Sequence, residues 1–114
     1  YAMSDDDRLA AVKAATAKIA NVECVLHRGL LVDFCKSINA NVMYKVVRGA
    51  DELSEVTTLV DINRDMWEGE TVFIVADRNM RHVSASLVRE LSAFGKDYSA
   101  YVPEAALEIV KRSF

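Results

Sequence analysis

Apolar and polar positions along the chain alternate between helical and strand-like spacing. Leu9, Val12, Ala15 and Ile19 recur every three or four residues, which predicts a helix ending near Ala20. Ser4 followed three residues later by Asp7 forms a capping-box pattern, and the acidic first turn suits the positive end of the helix dipole. Val22 to Leu26 reads as a strand, and Gly29 to Ile38 as a short helix burying Leu30, Leu31, Phe34 and Cys35. Asn41 to Val47 is a second strand. Ala50 to Trp67 is the longest helix, with Leu53, Val56, Leu59, Val60, Ile62, Asn63 and Met66 spread over more than one face. The β-branched and aromatic run Thr71 to Val75 is a third strand, and Leu87, Val88 and Leu91 mark a helix that Gly95 closes at C′. Pro103 starts the last helix at N1, which docks through Ala105, Ala106, Ile109 and Val110. Helix and strand alternate, so the expected fold is α/β: a three-stranded parallel sheet with right-handed crossovers, flanked by helices.

At 114 residues the chain has the length of one domain, expected to span residues 3–114 and to bury a core without staples. Tyr1-Ala2 read as a remnant, because Met3-Ser4-Asp5-Asp6-Asp7-Arg8 makes a natural gene start. Fourteen basic residues against 17 acidic ones leave a formal charge of −3, which argues against a nucleic-acid binder with its basic face. Cys24 and Cys35 lack CxxC or metal spacing and fall on apolar faces, as buried free thiols of a reducing compartment do. No apolar run approaches the roughly 20 residues that span a bilayer, and no signal peptide is visible, so the expected location is cytoplasmic, away from membranes. Asp5, Asp6 and Asp7 fan around a helix terminus instead of converging, and no metal site is expected there.

Candidate chemistry gathers around the unit from Thr71 to Leu91. Ser84 is the natural N-cap, and the first-turn N–H groups of Ser84, Ala85 and Ser86 with the helix dipole make an anion seat; ordinary helix capping accounts for the same residues. The loop from Asp77 to His82 brings Arg78 and Arg81 beside that turn. Arg48 and Gly49 follow the second strand, at the carboxyl end where open α/β sheets gather ligands. Arg48, Arg78 and Arg81 together suit a phosphate or carboxylate, and solvated surface arginines fit equally well. Pairing Ser84 or Ser86 with His82 as a hydrolase fails on geometry, since residues two apart across a turn rarely face each other and no Gly-x-Ser-x-Gly elbow is present. Leu53, Val56, Leu59, Val60 and Asn63 form the candidate interface of a helix with apolar residues on a wide face.

Val83-Ser84-Ala85-Ser86-Leu87-Val88-Arg89-Glu90-Leu91, then Phe94-Gly95-Lys96-Asp97 and Tyr101-Val102-Pro103-Glu104, resemble the C-terminal half of bacterial phosphopantetheine adenylyltransferase. That family reads Ile-Ser-Ser-Ser-Leu-Val-Lys-Glu at the corresponding place, with its serine turn against the ATP. Upstream, Asp7-Arg8 resembles the family's Glu-Glu-Arg, Asn21-Val22-Glu23-Cys24-Val25 its Asn-Val-Glu-Val strand, and Leu31-Val32-Asp33-Phe34 its Leu-Met-Ala-Asn-Phe helix. Arg48-Gly49 is similar to the Arg-Gly closing its fourth strand, and Ile62-Asn63-Arg64 to its Met-Asn-Arg. The matches run in family order over nearly the whole chain, and the resemblance implies a Rossmann-like sheet truncated at its start.

The family's Thr-Phe-Asp-Pro turn and His-x-Gly-His pair have no counterpart in these residues; the two histidines, His27 and His82, stand far apart. The family's second phosphate-binding arginine is also missing, because the segment from Arg48 to Arg64 is about three residues shorter and reads Arg-Gly-Ala-Asp-Glu. A family glutamate near the nucleotide aligns with Val56 or Glu55, and the aromatic residue before the serine turn with Met80. The missing strands belong to the middle of the family's sheet, so the strand from Val22 either moves to pair beside the second, giving a compact three-stranded layer, or has its gap filled by another chain, and both routes favour an oligomer. The expectation is therefore a non-catalytic relative, a virus-encoded or accessory protein that acts through protein contacts as a homo-oligomer or with a cellular partner. One alternative is a residual nucleotide module holding ATP or coenzyme A through Arg48, Ser84, Ala85 and Ser86, with Leu31 at the position that lines the pantetheine pocket. Another is the C-terminal half of a split pantetheine-phosphate adenylyltransferase.

Overall fold

The computed structural model describes residues 3–114; Tyr1 and Ala2, read above as a remnant, lie outside them. In chain order the elements are α1 (Asp5–Thr16), α2 (Leu31–Ser37), β1 (Val42–Val47), α3 (Ala50–Arg64), β2 (Glu70–Val75), α4 (Ala85–Ala93) and α5 (Glu104–Ser113), with 3-10 turns at Arg78–Met80 and Ser99–Tyr101. They gather into two compact units, one made of residues 3–26 with His82–Phe114 and the other of His27–Arg81.

In the unit His27–Arg81, β1 and β2 pair in parallel from Val42↔Glu70 through Val47↔Val75, with α3 as the crossover. The expected third strand is corrected here: the sheet of the described residues has two strands, and residues 22–26 are not part of it. A strand persists only where a neighbour takes its backbone N–H and C=O groups, and among the described residues no strand pairs with residues 22–26. Their β-branched pattern favours an extended chain without supplying that neighbour. Val32, Cys35, Met43 and Trp67 form this unit's core, with Ala40 and Met66 packed against it. Helix α3 ends at Arg64 instead of Trp67, because the indole turns into that core and its Nε1–H donates to the Ala40 carbonyl at 3.1 Å. Gly69 lies under the ring: a Cβ there would overlap the indole atoms Cζ2, Cε2 and Cη2.

Strand alternation sends Met43 and Val47 into the interior. On the opposite face Val42, Tyr44, Val46, Val72 and Ile74 are all exposed, Tyr44 by 67% and Val46 by 62%. No residue of α3 is fully buried; Val56, Val60 and Asn63 are half-buried while Leu53, Leu59 and Ile62 are exposed.

In the other unit α1 packs against α5. Ser4 caps α1, its Oγ accepting from the Asp7 N–H at 3.1 Å. The reciprocal half of the expected capping box is replaced by a longer reach: Asp7 Oδ1 accepts from Arg112 Nη2 at 2.8 Å and Oδ2 from the Ser113 hydroxyl at 3.0 Å. Helix α1 ends at Thr16, short of Ala20, and buries no residue fully. Val88, Tyr98 and Val110 form the core, flanked by Met3, Leu91, Tyr101, Val102 and Leu107. Gly95 is C′ of α4 at φ +65°, as expected, and the Lys96 N–H reaches back to the Leu91 carbonyl at 2.8 Å. Pro103 is the N-cap of α5, one position earlier than expected, and Ala106 and Val110 dock the helix while Ala105 faces solvent. Both cysteines are free, Cys35 buried and Cys24 partly so, with Cys24 Sγ 3.2 Å from the Thr16 hydroxyl.

Candidate functional site

Parallel pairing fixes where the basic residues of the unit His27–Arg81 stand. Val47 and Val75 are register partners, and the Ala76 N–H continues the ladder to the Val47 carbonyl at 2.8 Å. Arg48 and Gly49 leave β1, and Arg78 and Arg81 leave β2, at that same end of the sheet. It is the carboxyl end, where crevices for ligands form in α/β sheets. Gly49 is the N-cap of α3 in extended backbone, so the helix starts at Ala50, two residues after Arg48.

Two of the arginines there, Arg48 and Arg81, are engaged by the chain itself. Arg48 donates its backbone N–H to Glu52 Oε2 and its Nε–H to Glu52 Oε1, both at 2.7 Å. The backbone N–H of Arg48 and then its guanidinium hold the Glu52 carboxyl below its ordinary range. Arg81 Nε–H donates to the Ala76 carbonyl at 3.3 Å, and Arg78 opens the 3-10 turn that Asp77 caps by accepting from the Asn79 N–H. Sequence reasoning missed Glu52 as the partner of Arg48, although the spacing of four residues signals such a pair on a helix start.

The serine turn belongs to the other unit. Ser84 is the N-cap of α4, its Oγ accepting from the Leu87 N–H at 3.1 Å, with Ala85 and Ser86 in the first turn and no acidic residue among them. That hydroxyl is therefore a cap, and the His82 ring is set edge-on against Tyr101 with centroids 5.7 Å apart, an arrangement unlike a nucleophile with its base. His27 is used locally as well: its Nε2–H donates to the Leu30 carbonyl at 3.0 Å and its ring lies 5.1 Å from Phe34. Leu31, which the resemblance matches to a position lining the family's pantetheine pocket, is exposed at the first turn of α2.

At the opposite, amino end of the strands a cleft of about 790 Å³ is lined by Lys36, Asn41, Arg64, Asp65 and Trp67. Arg64 on its rim is paired with Glu70 at 2.7 Å, which raises the Arg64 pKa and lowers that of Glu70. Among the described residues no three His, Cys, Asp or Glu side chains gather as a metal site, and no helix is long and apolar enough to cross a membrane.

A parallel strand-helix-strand unit with basic residues at the carboxyl end of its strands, and a serine-capped helix in the other unit, define a mixed α/β protein. The phosphopantetheine adenylyltransferase of Micrococcus luteus is 35% identical over 108 residues, covering 94% of this chain and 69% of that protein. That of Leifsonia xyli subsp. xyli is 41% identical over 85 residues, covering 75% of this chain and 54% of the relative. That of Staphylococcus carnosus is 30% identical over 110 residues, covering 96% and 68%. No family model matches. The chain belongs to the phosphopantetheine adenylyltransferase family, and it spans between about half and just over two thirds of the length of these relatives.

Proposed function

We propose that these 114 residues act as a non-catalytic, adenylyltransferase-like module that works through protein contacts. The observation that carries this reading is the bare apolar face of the sheet. Val42, Tyr44, Val46, Val72 and Ile74 stand exposed on a parallel pair, a type of sheet that is stable when both faces are covered. Exposed apolar patches of this kind mark interaction surfaces. Leu53 and Leu59 on α3 are exposed as well, with Val56, Val60 and Asn63 half-buried on the same helix. The chemistry points the same way. Stabilising charge on a transferring phosphate needs pre-placed donors, and loss of one typically costs about 10²- to 10³-fold. Both histidines here are spent on local contacts, and neither belongs to a His-x-Gly-His pair.

Sedimentation velocity of the purified chain tests this reading, and the expected result is a self-associated species that Ile74→Asp and Val46→Asp return to monomer. A wild-type chain that stays monomeric, and whose sedimentation the two substitutions leave unchanged, overturns the homo-oligomeric form of the proposal. A second reading, a residual site for ATP or coenzyme A, is favoured by the first turn of α4, which presents N–H groups with no competing carboxylate. Calorimetry with ATP and coenzyme A at millimolar concentration separates the two: heat lost in Ser84→Pro supports a retained ligand site, and silence ends it.

A further inference from the structure

The anion-binding reading of Arg48 meets an obstacle that the chain builds for itself. Glu52 spans from the third residue of α3 back to Arg48, one oxygen on the backbone N–H and the other on Nε–H, each at 2.7 Å. A phosphate would approach the same pair of donors with two of its own oxygens, because a guanidinium edge and a neighbouring N–H match that spacing. Asp51 shares the first turn and Glu55 follows, so residues 48–55 hold one cation and three anions. The start of α4, by contrast, carries a neutral hydroxyl cap and no carboxylate in its first turn.

We propose that Glu52 is an internal counter-anion, occupying the donors of Arg48 in place of a ligand, and that a phosphate-bearing ligand reaches Arg48 only by releasing it. The proposal rests on the reading of Arg48 as part of an anion-binding strand end. The lowered pKa of the Glu52 carboxyl agrees with a contact that persists across the neutral range. A like charge about 4 Å away in water changes an equilibrium roughly fivefold, which sets the scale of the penalty. Glu52→Gln keeps an oxygen for the Arg48 N–H and removes the charge, so it isolates competition from helix capping.

The test is calorimetry at low ionic strength with inorganic pyrophosphate, on the wild-type chain, E52Q, R48A and the double variant. E52Q is expected to bind about fivefold more tightly than wild type, with the gain lost in the double variant. Equal or weaker binding by E52Q, while R48A weakens binding, makes Glu52 a residue that positions Arg48 and overturns the proposal. If R48A changes nothing in either background, or pyrophosphate binds none of the four, the reading of Arg48 itself falls and the proposal with it. A measurement on the wild-type chain guards against a misfolded variant. Pyrophosphate should move the Arg48 Nε–H and Glu52 carboxyl NMR resonances together as the pair opens, and binding that leaves both unmoved contradicts release.

Discussion

Gly69→Ala places one methyl group where the structure has no room for it. Gly69 follows the turn from α3 into β2, and its missing side chain is the space that the Trp67 ring fills. Trp67 is 6% exposed and belongs to the core with Val32, Cys35 and Met43, so a Cβ at position 69 must push the indole outward or displace the start of β2. Overpacking with small backbone shifts typically costs about 1–3 kcal/mol. Full expulsion of the ring approaches the cost of deleting it, about 3–5 kcal/mol, and losing the Nε1–H bond to Ala40 contributes about 1 kcal/mol of that. The expected destabilisation is therefore at least about 1 kcal/mol and, if the ring leaves, above about 3 kcal/mol. Trp67 is the single tryptophan of the chain, so its fluorescence reads this site alone. Urea unfolding followed by tryptophan emission should show a lower midpoint for G69A and a red-shifted native spectrum, and W67F/G69A, which lacks the fluorophore and is followed by circular dichroism, should recover part of the loss. A G69A protein within about 0.5 kcal/mol of wild type, with an unchanged emission maximum, refutes the packing.

Two further outcomes follow from the unit built around α4 and α5. The Asp7 carboxyl is held below its ordinary value first by Arg112, then by Ser113 and Ser4. A folded-state pKa below the unfolded one contributes stability that is complete above the unfolded value, near 3.8, and fades as pH falls through the folded value. Thermal melts should therefore drop between about pH 5 and pH 3, and Asp7→Asn should flatten part of that drop, the remainder belonging to Glu52, Glu70 and Asp97, which shift in the same direction. A D7N profile parallel to wild type means the contact to α5 is not made. Ser84→Ala should cost about 0.5–2 kcal/mol by removing the cap on Leu87 N–H, and Ser84→Gly only a few tenths; equal urea midpoints for S84A and wild type contradict the cap.

Elements whose determinants are local were legible in the sequence. The β-branched run of β2, the serine cap of α4 and the glycine at its C′ position each act through neighbours a few residues away, and each stands where the pattern placed it. The strand expected at Val22 to Leu26 depended on a pairing partner, which is a property of the sheet and not of those five residues. Trp67 was counted into α3 because its spacing fits the helix, while the indole's place is decided by contacts with Ala40 and by the space over Gly69. The candidate site divides likewise. That Arg48, Arg78 and Arg81 leave the sheet at one end follows from parallel pairing, which the alternation of elements announced. The carboxylate already seated on Arg48 was written in the four-residue interval to Glu52 and went unread, since spacing alone names many pairs and coordinates select one. The ties from Asp7 to Arg112 and Ser113 join positions 105 and 106 residues apart and leave no local signal.

Pyrophosphate release tests the central claim most directly. The purified 114-residue chain, supplied with ATP, magnesium and 4′-phosphopantetheine, is expected to release none above the protein-free blank. Release that scales with the concentration of this chain, accompanied by dephospho-coenzyme A, would show that these residues run the family's reaction unaided and would contradict the account.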